Sequence, residues 1–129
     1  MCKLCSIDQN LILLESEYSI LLANYYPIGF LSLLAIPKRH VYSITDLTID
    51  EANDLTEMVR FGFNNIKSQI NPHALNAFFN EGEIAGQTIP HLHWHIVARM
   101  ENDGLENFKR NGEPTVITEE QLTLAKKCF

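Results

Sequence analysis

The sequence predicts an α+β fold with a mostly antiparallel sheet, and three observations carry that reading. Five short apolar runs have strand character, one long stretch between the third and fourth has helical spacing, and the C-terminus carries a short capped helix. Strands on both sides of a single long helix favour α+β over a βαβ alternation. The first two strands are "LILLES" and "YSILLAN", neighbours with "SE" near the turn. "FLSLLAIP" is the third, stopped by Pro37. "TDLT" leads into "DEANDLTEMVRFGFNNIKSQI", where Leu55, Met58, Val59, Phe63 and Ile66 fall at helical spacing and Asp50 is the expected N-cap. "NPH" ends that helix, because the residue before a proline is pushed out of the helical region. "ALNAFFN" is the fourth strand, "EGEIAGQTIP" a loop punctuated by Gly82, Gly86 and Pro90, and "HLHWHIVA" the fifth strand. A loop-rich stretch, "ENDGLENFKRNGEP", precedes the C-terminal helix, which Thr118 opens with Glu119 and Glu120 in its first turn.

Bulk properties narrow the function classes. The 129 residues suffice for one domain over 1–129 with a real core, and 46% hydrophobic with 20% charged residues suits a globular protein. A net charge of −6 argues against generic attraction to nucleic acid or an acidic membrane, so an anionic ligand must be held by local groups. The apolar stretch "IGFLSLLAIP" is too short to span a bilayer and runs into "KRH". The N-terminal "MCKLCSIDQN" lacks the apolar core of a secretory signal. Three cysteines make no disulfide framework, and the expected setting is reducing and cytoplasmic.

The chemistry concentrates in "HLHWHIV", residues 91–97. Alternation along a strand puts His91, His93 and His95 on one face and Leu92, Trp94 and Ile96 on the other, the apolar trio packing on a helix. Positions two apart lie roughly 7 Å from each other and positions four apart about 13 Å, so a straight strand cannot bring both outer histidines to one ion. Two of the three can share a zinc at about 2.0–2.1 Å. Exposure on an edge strand fits poorly with Trp94 and Ile96, which imply cover. The remaining reading is an anion site, where imidazole serves as nucleophile, proton donor or hydrogen-bond donor. The loop before the run supports it. Asn80, Gln87 and Thr88 are neutral donors for phosphate or ribose oxygens, and Gly86 lets backbone approach a ligand closely.

"HLHWHIV" has the form His-x-His-x-His-x-x with an apolar residue at each x, and "NEGEIAGQTIPHLHWHIVAR" carries Asn, Gly-Gln-Thr, the three histidines and a trailing Arg in register. Together with "NYYP" and "LLAIPKRHV", these segments resemble the histidine triad (HIT) superfamily of nucleotidyl hydrolases and transferases, over about residues 2–110. The resemblance implies a HIT-like fold. That is a five-stranded antiparallel sheet with one long helix and a short C-terminal helix, usually forming a homodimer through a helix and an edge strand. It implies that His93 attacks the α-phosphorus to give a nucleotidyl-histidine that water cleaves, and that His95 bonds a phosphate or bridging oxygen. Gln87, Thr88 and Asn80 hold phosphate oxygens, with Gln87 and Thr88 assisting the leaving group, and Asn24 holds the ribose hydroxyls. This chemistry requires no metal.

"CKLC" supplies a Cys-x-x-Cys pair, which by itself reads equally as zinc ligands or as two incidental thiols. The resemblance implies a structural zinc held by Cys2, Cys5, His40 and His91. One histidine would then hold metal, one attack and one handle phosphate oxygen. Two positions depart from the family pattern. Leu31 and Ser32 stand where a Gly-His pair usually precedes the third strand's core, its histidine supporting the triad, and Ala98 replaces a proline before the trailing Arg. Elsewhere, His73 is expected at the surface, Lys38 and Arg39 could attract phosphates or equally form a solvated turn, and Glu101 and Asp103 are a loop acid pair that could bind a cation or simply be exposed. Cys128 reads as a free thiol, and Ile7, Leu22, Tyr25 and Tyr26 read as walls of a base pocket or as core.

The expected function is hydrolysis of a nucleotide substrate, with spacing similar to the bacterial branch acting on dinucleoside polyphosphates such as diadenosine tetraphosphate. A nucleoside phosphoramidase is the nearest alternative. A non-catalytic nucleotide-binding protein and a metal-binding regulator are alternatives of other classes.

Overall fold

The structure, a computed structural model, describes residues 2–105 and 113–129. Five strands form one sheet: β1 (Ile12–Glu15), β2 (Ser19–Ala23), β3 (Ser32–Pro37), β4 (Ala74–Phe78) and β5 (Trp94–Arg99). Their spatial order is β1-β2-β3-β5-β4 and every neighbouring pair is antiparallel. Helix α1 (Ile49–Gln69) packs across β2, β3 and β5, and α2 (Glu119–Lys127) follows near the C-terminus. The α+β expectation and all five strands hold. Of the loop expected over 101–114, residues 106–112 lie outside the described residues.

Side-chain alternation divides the sheet. Leu21, Leu33 and Ile96 are fully buried. Leu21 and Ile96 meet α1 at Gly62, where an added Cβ would stand 2.9 Å from Ile96 Cδ1. The glycine lets helix and sheet approach closely. On the opposite face, cross-strand partners Leu22, Leu34, His95 and Phe78 form a row running from β2 to β4.

Two sequence expectations are corrected. The N-cap of α1 is Thr48, not Asp50. The Thr48 side chain accepts from Glu51 N, and Glu51 returns the bond by accepting from Thr48 N, closing a capping box that Asp50 is placed too late to form. The fifth strand also begins later than expected. His91, Leu92 and His93 precede it, because Leu92 N donates to Val41 O at 2.7 Å and His91 N to Ile89 O at 2.8 Å rather than joining the ladder. Among the described residues no helix is long and apolar enough to cross a membrane.

Candidate active site

The row of Leu22, Leu34 and His95 floors a cleft of about 1050 Å³. Asn24, Tyr25 and Tyr26 from the β2–β3 connection wall one part of it, and Thr88 and His93 line it as well. Ile7 and Leu22 are lining residues too, so all four expected base-pocket side chains reach one cavity.

The two inner histidines are aimed differently. His93 is 7% exposed, and its Nδ1 lies 2.8 Å from the carbonyl oxygen of His91. A carbonyl accepts only, so Nδ1 carries the proton and Nε2 presents its lone pair. Burial pushes the His93 imidazole below its ordinary value, against the raising effect of that carbonyl, which favours the neutral ring. The His93 and His95 rings meet edge to face at 4.9 Å, and His95 stacks on Phe78 at 4.8 Å with planes 17° apart. Ser32, at the position where the family resemblance expects a supporting histidine, accepts from Ile28 N and Asn24 Nδ2.

Loop 82–87 is closed on itself. Gln87 N donates to Gly82 O at 3.0 Å, while Gln87 Oε1 accepts from Gly82 N at 2.8 Å. Gln87 is 7% exposed and its Nε2 is buried with no protein acceptor, a donor held without a partner among the described residues. Gly86 has φ +105°, and a Cβ there would lie 3.1 Å from Asn80 Nδ2. Asn80 therefore packs against a position of the loop that only glycine fills easily. Asn24, Thr88, His93 and His95 line the cleft directly, whereas Asn80 and Gln87 do not.

His91 serves a different cluster. It is fully buried, and burial lowers its basicity against the raising effect of Pro37 O, which its Nε2 meets at 2.8 Å. Nε2 therefore donates to that carbonyl, leaving Nδ1 as a lone pair. Cys2, Cys5, His40 and His91 bring one ligand atom each within 4.8 Å of one another and could hold a metal ion. His40 Nδ1 lies 3.2 Å from His91 Nδ1, and Cys5 Sγ lies 3.1 and 3.5 Å from those two nitrogens. A tetrahedral ion with bonds of about 2.3 Å to sulfur and 2.0–2.1 Å to nitrogen needs separations of roughly 3.3–3.8 Å, and the three among Cys5, His40 and His91 lie within a few tenths of an ångström of that range. Cys5 N donates to Cys2 O at 3.1 Å, making the cysteine pair a tight turn, and buried Leu4 pins that turn into the core.

Other sequence candidates resolve structurally. Asp103 is no cation ligand. It forms an ion pair with Arg99 at 2.8 Å, and that guanidinium, with the backbone N–H groups of Leu105 and Met100, holds its carboxyl far below the ordinary range. His73 is exposed, as expected, and accepts from Glu101 N at 2.9 Å. Arg39 is partly solvated but also grips Glu51 through Nε at 3.0 Å and Nη2 at 2.8 Å. Lys38 sits 3.8 Å from Glu15. Cys128 is a free thiol, buried, with its basicity raised by burial. Sequence reasoning missed the pairing of Phe78 with His95 and gave Ser32 no partner. The strand register would have shown the first, since "ALNAFFN" pairs with the histidine strand.

Comparison with known proteins agrees with this geometry. Bis(5'-adenosyl)-triphosphatase of Saccharomyces cerevisiae is 32% identical over 110 residues, covering 78% of this chain and 53% of that protein. The chain thus spans about half the length of that curated relative. A hypothetical histidine triad nucleotide-binding protein of Sulfolobus tokodaii is 26% identical with a TM-score of 0.76, over 92% of this chain and 79% of its own. A Zn-bound histidine triad family protein of Mycobacterium smegmatis, 24% identical over 92% of this chain and 82% of its own, shares the fold with a TM-score of 0.71. The HIT domain family model matches residues 7–102, three quarters of the length and all three histidines, and the chain belongs to that family.

Proposed function

We propose that this chain, read as one domain over 1–129, is a nucleotide hydrolase that cleaves at the α-phosphate through a nucleotidyl-His93 intermediate. The carrying observation is the His93 Nδ1 bond to the His91 carbonyl, which leaves Nε2 as an unprotonated nucleophile in a residue lining the cleft. His93 Nε2 attacks phosphorus, the bond to the leaving phosphate oxygen breaks, and that oxygen departs with the electron pair. Water then attacks phosphorus, a phosphorus–oxygen bond forms as the phosphorus–nitrogen bond breaks, its electron pair returns to Nε2, and the water's proton is released to solvent. Fixed donors hold the charge that builds on the phosphoryl oxygens. Thr88 and His95, which line the cleft, are the proposed donors, and Gln87 Nε2 and Asn80, which sit behind its lining, are proposed to join them when substrate is bound. Asn24 holds the ribose.

The proposed substrates are dinucleoside polyphosphates such as diadenosine tetraphosphate. The yeast relative's name supports the class, with a triphosphate as its stated substrate. A cleft of about 1050 Å³ has room for more than one nucleotide. The test is to offer diadenosine triphosphate, diadenosine tetraphosphate and an adenosine phosphoramidate, and to trap the acid-labile adduct. Turnover of the first two, with an adduct lost in His93→Ala, is the expected result. Nucleotide binding without any adduct would reject hydrolysis through His93.

The Cys2, Cys5, His40 and His91 set is proposed to hold a structural zinc, whose contribution is to tie the N-terminal turn to the segment carrying His93. Its thiols need a reducing compartment, consistent with a cytoplasmic setting. A homodimer is proposed through α1 and β4, since β4 lies at one edge of the sheet among the described strands. Sedimentation at a monomer mass would reject it.

A further inference from the structure

Ser32 opens β3 and is 2% exposed, and its hydroxyl is engaged by the β2–β3 connection. Ile28 N donates to Ser32 Oγ at 2.8 Å, and Asn24 Nδ2 donates to the same oxygen at 3.3 Å. Asn24 N donates to Ser32 O at 3.1 Å, so one residue ties both the backbone and the side chain of Asn24. The other end of the Asn24 amide is also fixed, because Oδ1 accepts from Tyr26 N at 3.2 Å. A side chain only 6% exposed is thereby held in one orientation at the cleft wall. An amide has two N–H donors and two lone pairs on oxygen, and these bonds use one of each. One donor and one acceptor remain on the same amide, complementary to two adjacent hydroxyls, each of which can both donate and accept.

We propose that Ser32 is a positioning residue that presets the Asn24 amide for a vicinal diol, so that the cleft selects ribonucleotides over their dideoxy counterparts. The inference rests on the reading of this cleft as a nucleotide site, but not on catalysis. A serine suits the role because its single oxygen accepts from Ile28 N and Asn24 Nδ2 together. A buried amide without that anchor would lose a fixed direction, and the Ile28 N–H would lose its acceptor.

The test is calorimetric titration of the full chain with adenosine 5'-monophosphate and with its 2',3'-dideoxy analogue. Wild type, Ser32→Ala, Asn24→Ala and the double variant are compared, with thermal melts to verify folding. Wild type is expected to prefer the ribonucleotide at least roughly tenfold. Ser32→Ala should weaken that ligand about three- to tenfold, leave the dideoxy ligand unchanged, and add nothing further in the Asn24→Ala background. Equal weakening of both ligands by Ser32→Ala would mark a merely structural role and overturn the inference. A wild type that binds the two ligands equally overturns it whatever the variants do. Discrimination that depends on Ser32 in a protein forming no His93 adduct would support the inference while refuting the hydrolase reading.

Discussion

Replacing Glu51 by glutamine tests how the turn bearing His40 is anchored. Glu51 Oε1 accepts from Arg39 Nη2 at 2.8 Å and from Thr48 N at 2.9 Å, and Oε2 accepts from Arg39 Nε at 3.0 Å. Its side chain is 6% exposed, whereas that of Arg39 is 52% exposed. Glutamine keeps an acceptor for the capping box but removes the charge and one acceptor facing the guanidinium. Hydrogen bonds to charged groups contribute about 1.5–3 kcal/mol, and the solvated Arg39 puts this pair at the lower end, about 2 kcal/mol in all. In a domain of this size that is a fall in Tm of roughly 6–10 °C. The pH dependence fixes the cause. Arg39, then the Thr48 backbone, pull the Glu51 carboxyl down to about 2, below its ordinary value. A carboxylate favoured by folding stabilises fully above its unfolded value and stops contributing as pH falls through the folded one. The gap between wild type and variant in urea denaturation should therefore be constant from pH 7 to about 5, then close towards pH 2. A gap under about 0.5 kcal/mol at pH 7, or one that persists unchanged at pH 2, would refute the assignment.

Other outcomes are accessible with standard assays. Gly86→Ala forces a side chain into φ +105° and against Asn80, so about 1–3 kcal/mol of stability should be lost together with most nucleotide binding; a variant with wild-type affinity and Tm contradicts the tight packing. Stripping metal with a chelator should lower Tm, and one equivalent of zinc should restore it, while Cys5→Ser should abolish both responses; melting curves indifferent to zinc exclude the proposed cluster.

Much of this architecture was legible because its signals are local. Alternating apolar runs located all five strands, and Leu55, Met58 and Ile66 marked the buried stripe of α1. The cap of α1 was misread because Asp50 and Thr48 are both good caps, and only the reciprocal bond from Glu51 decides between them. The histidine segment was read as one straight strand, yet a bond from Leu92 to Val41 holds its first three residues off the ladder. Assigning His91 to the cysteines and His93 to the cleft did not depend on that error, since both roles came from the family resemblance and not from strand alternation. What remained hidden was the direction in which individual side chains point, even between residues close in the chain. A serine at position 32 gives no hint that its hydroxyl meets Asn24, nor does Asp103 announce Arg99 as its partner rather than a cation.

His91 faces two ways: its carbonyl oxygen orients the ring of His93, while its own Nδ1 stands 3.5 Å from the sulfur of Cys5. A single backbone unit thus links the Cys2–Cys5 turn to the nitrogen proposed to attack. An affinity tag fused ahead of Cys2, or thiol oxidation during storage, would disturb that link without touching His93 itself. Kinetic comparisons of this protein need matched tag position and redox history before differences are ascribed to the substrate.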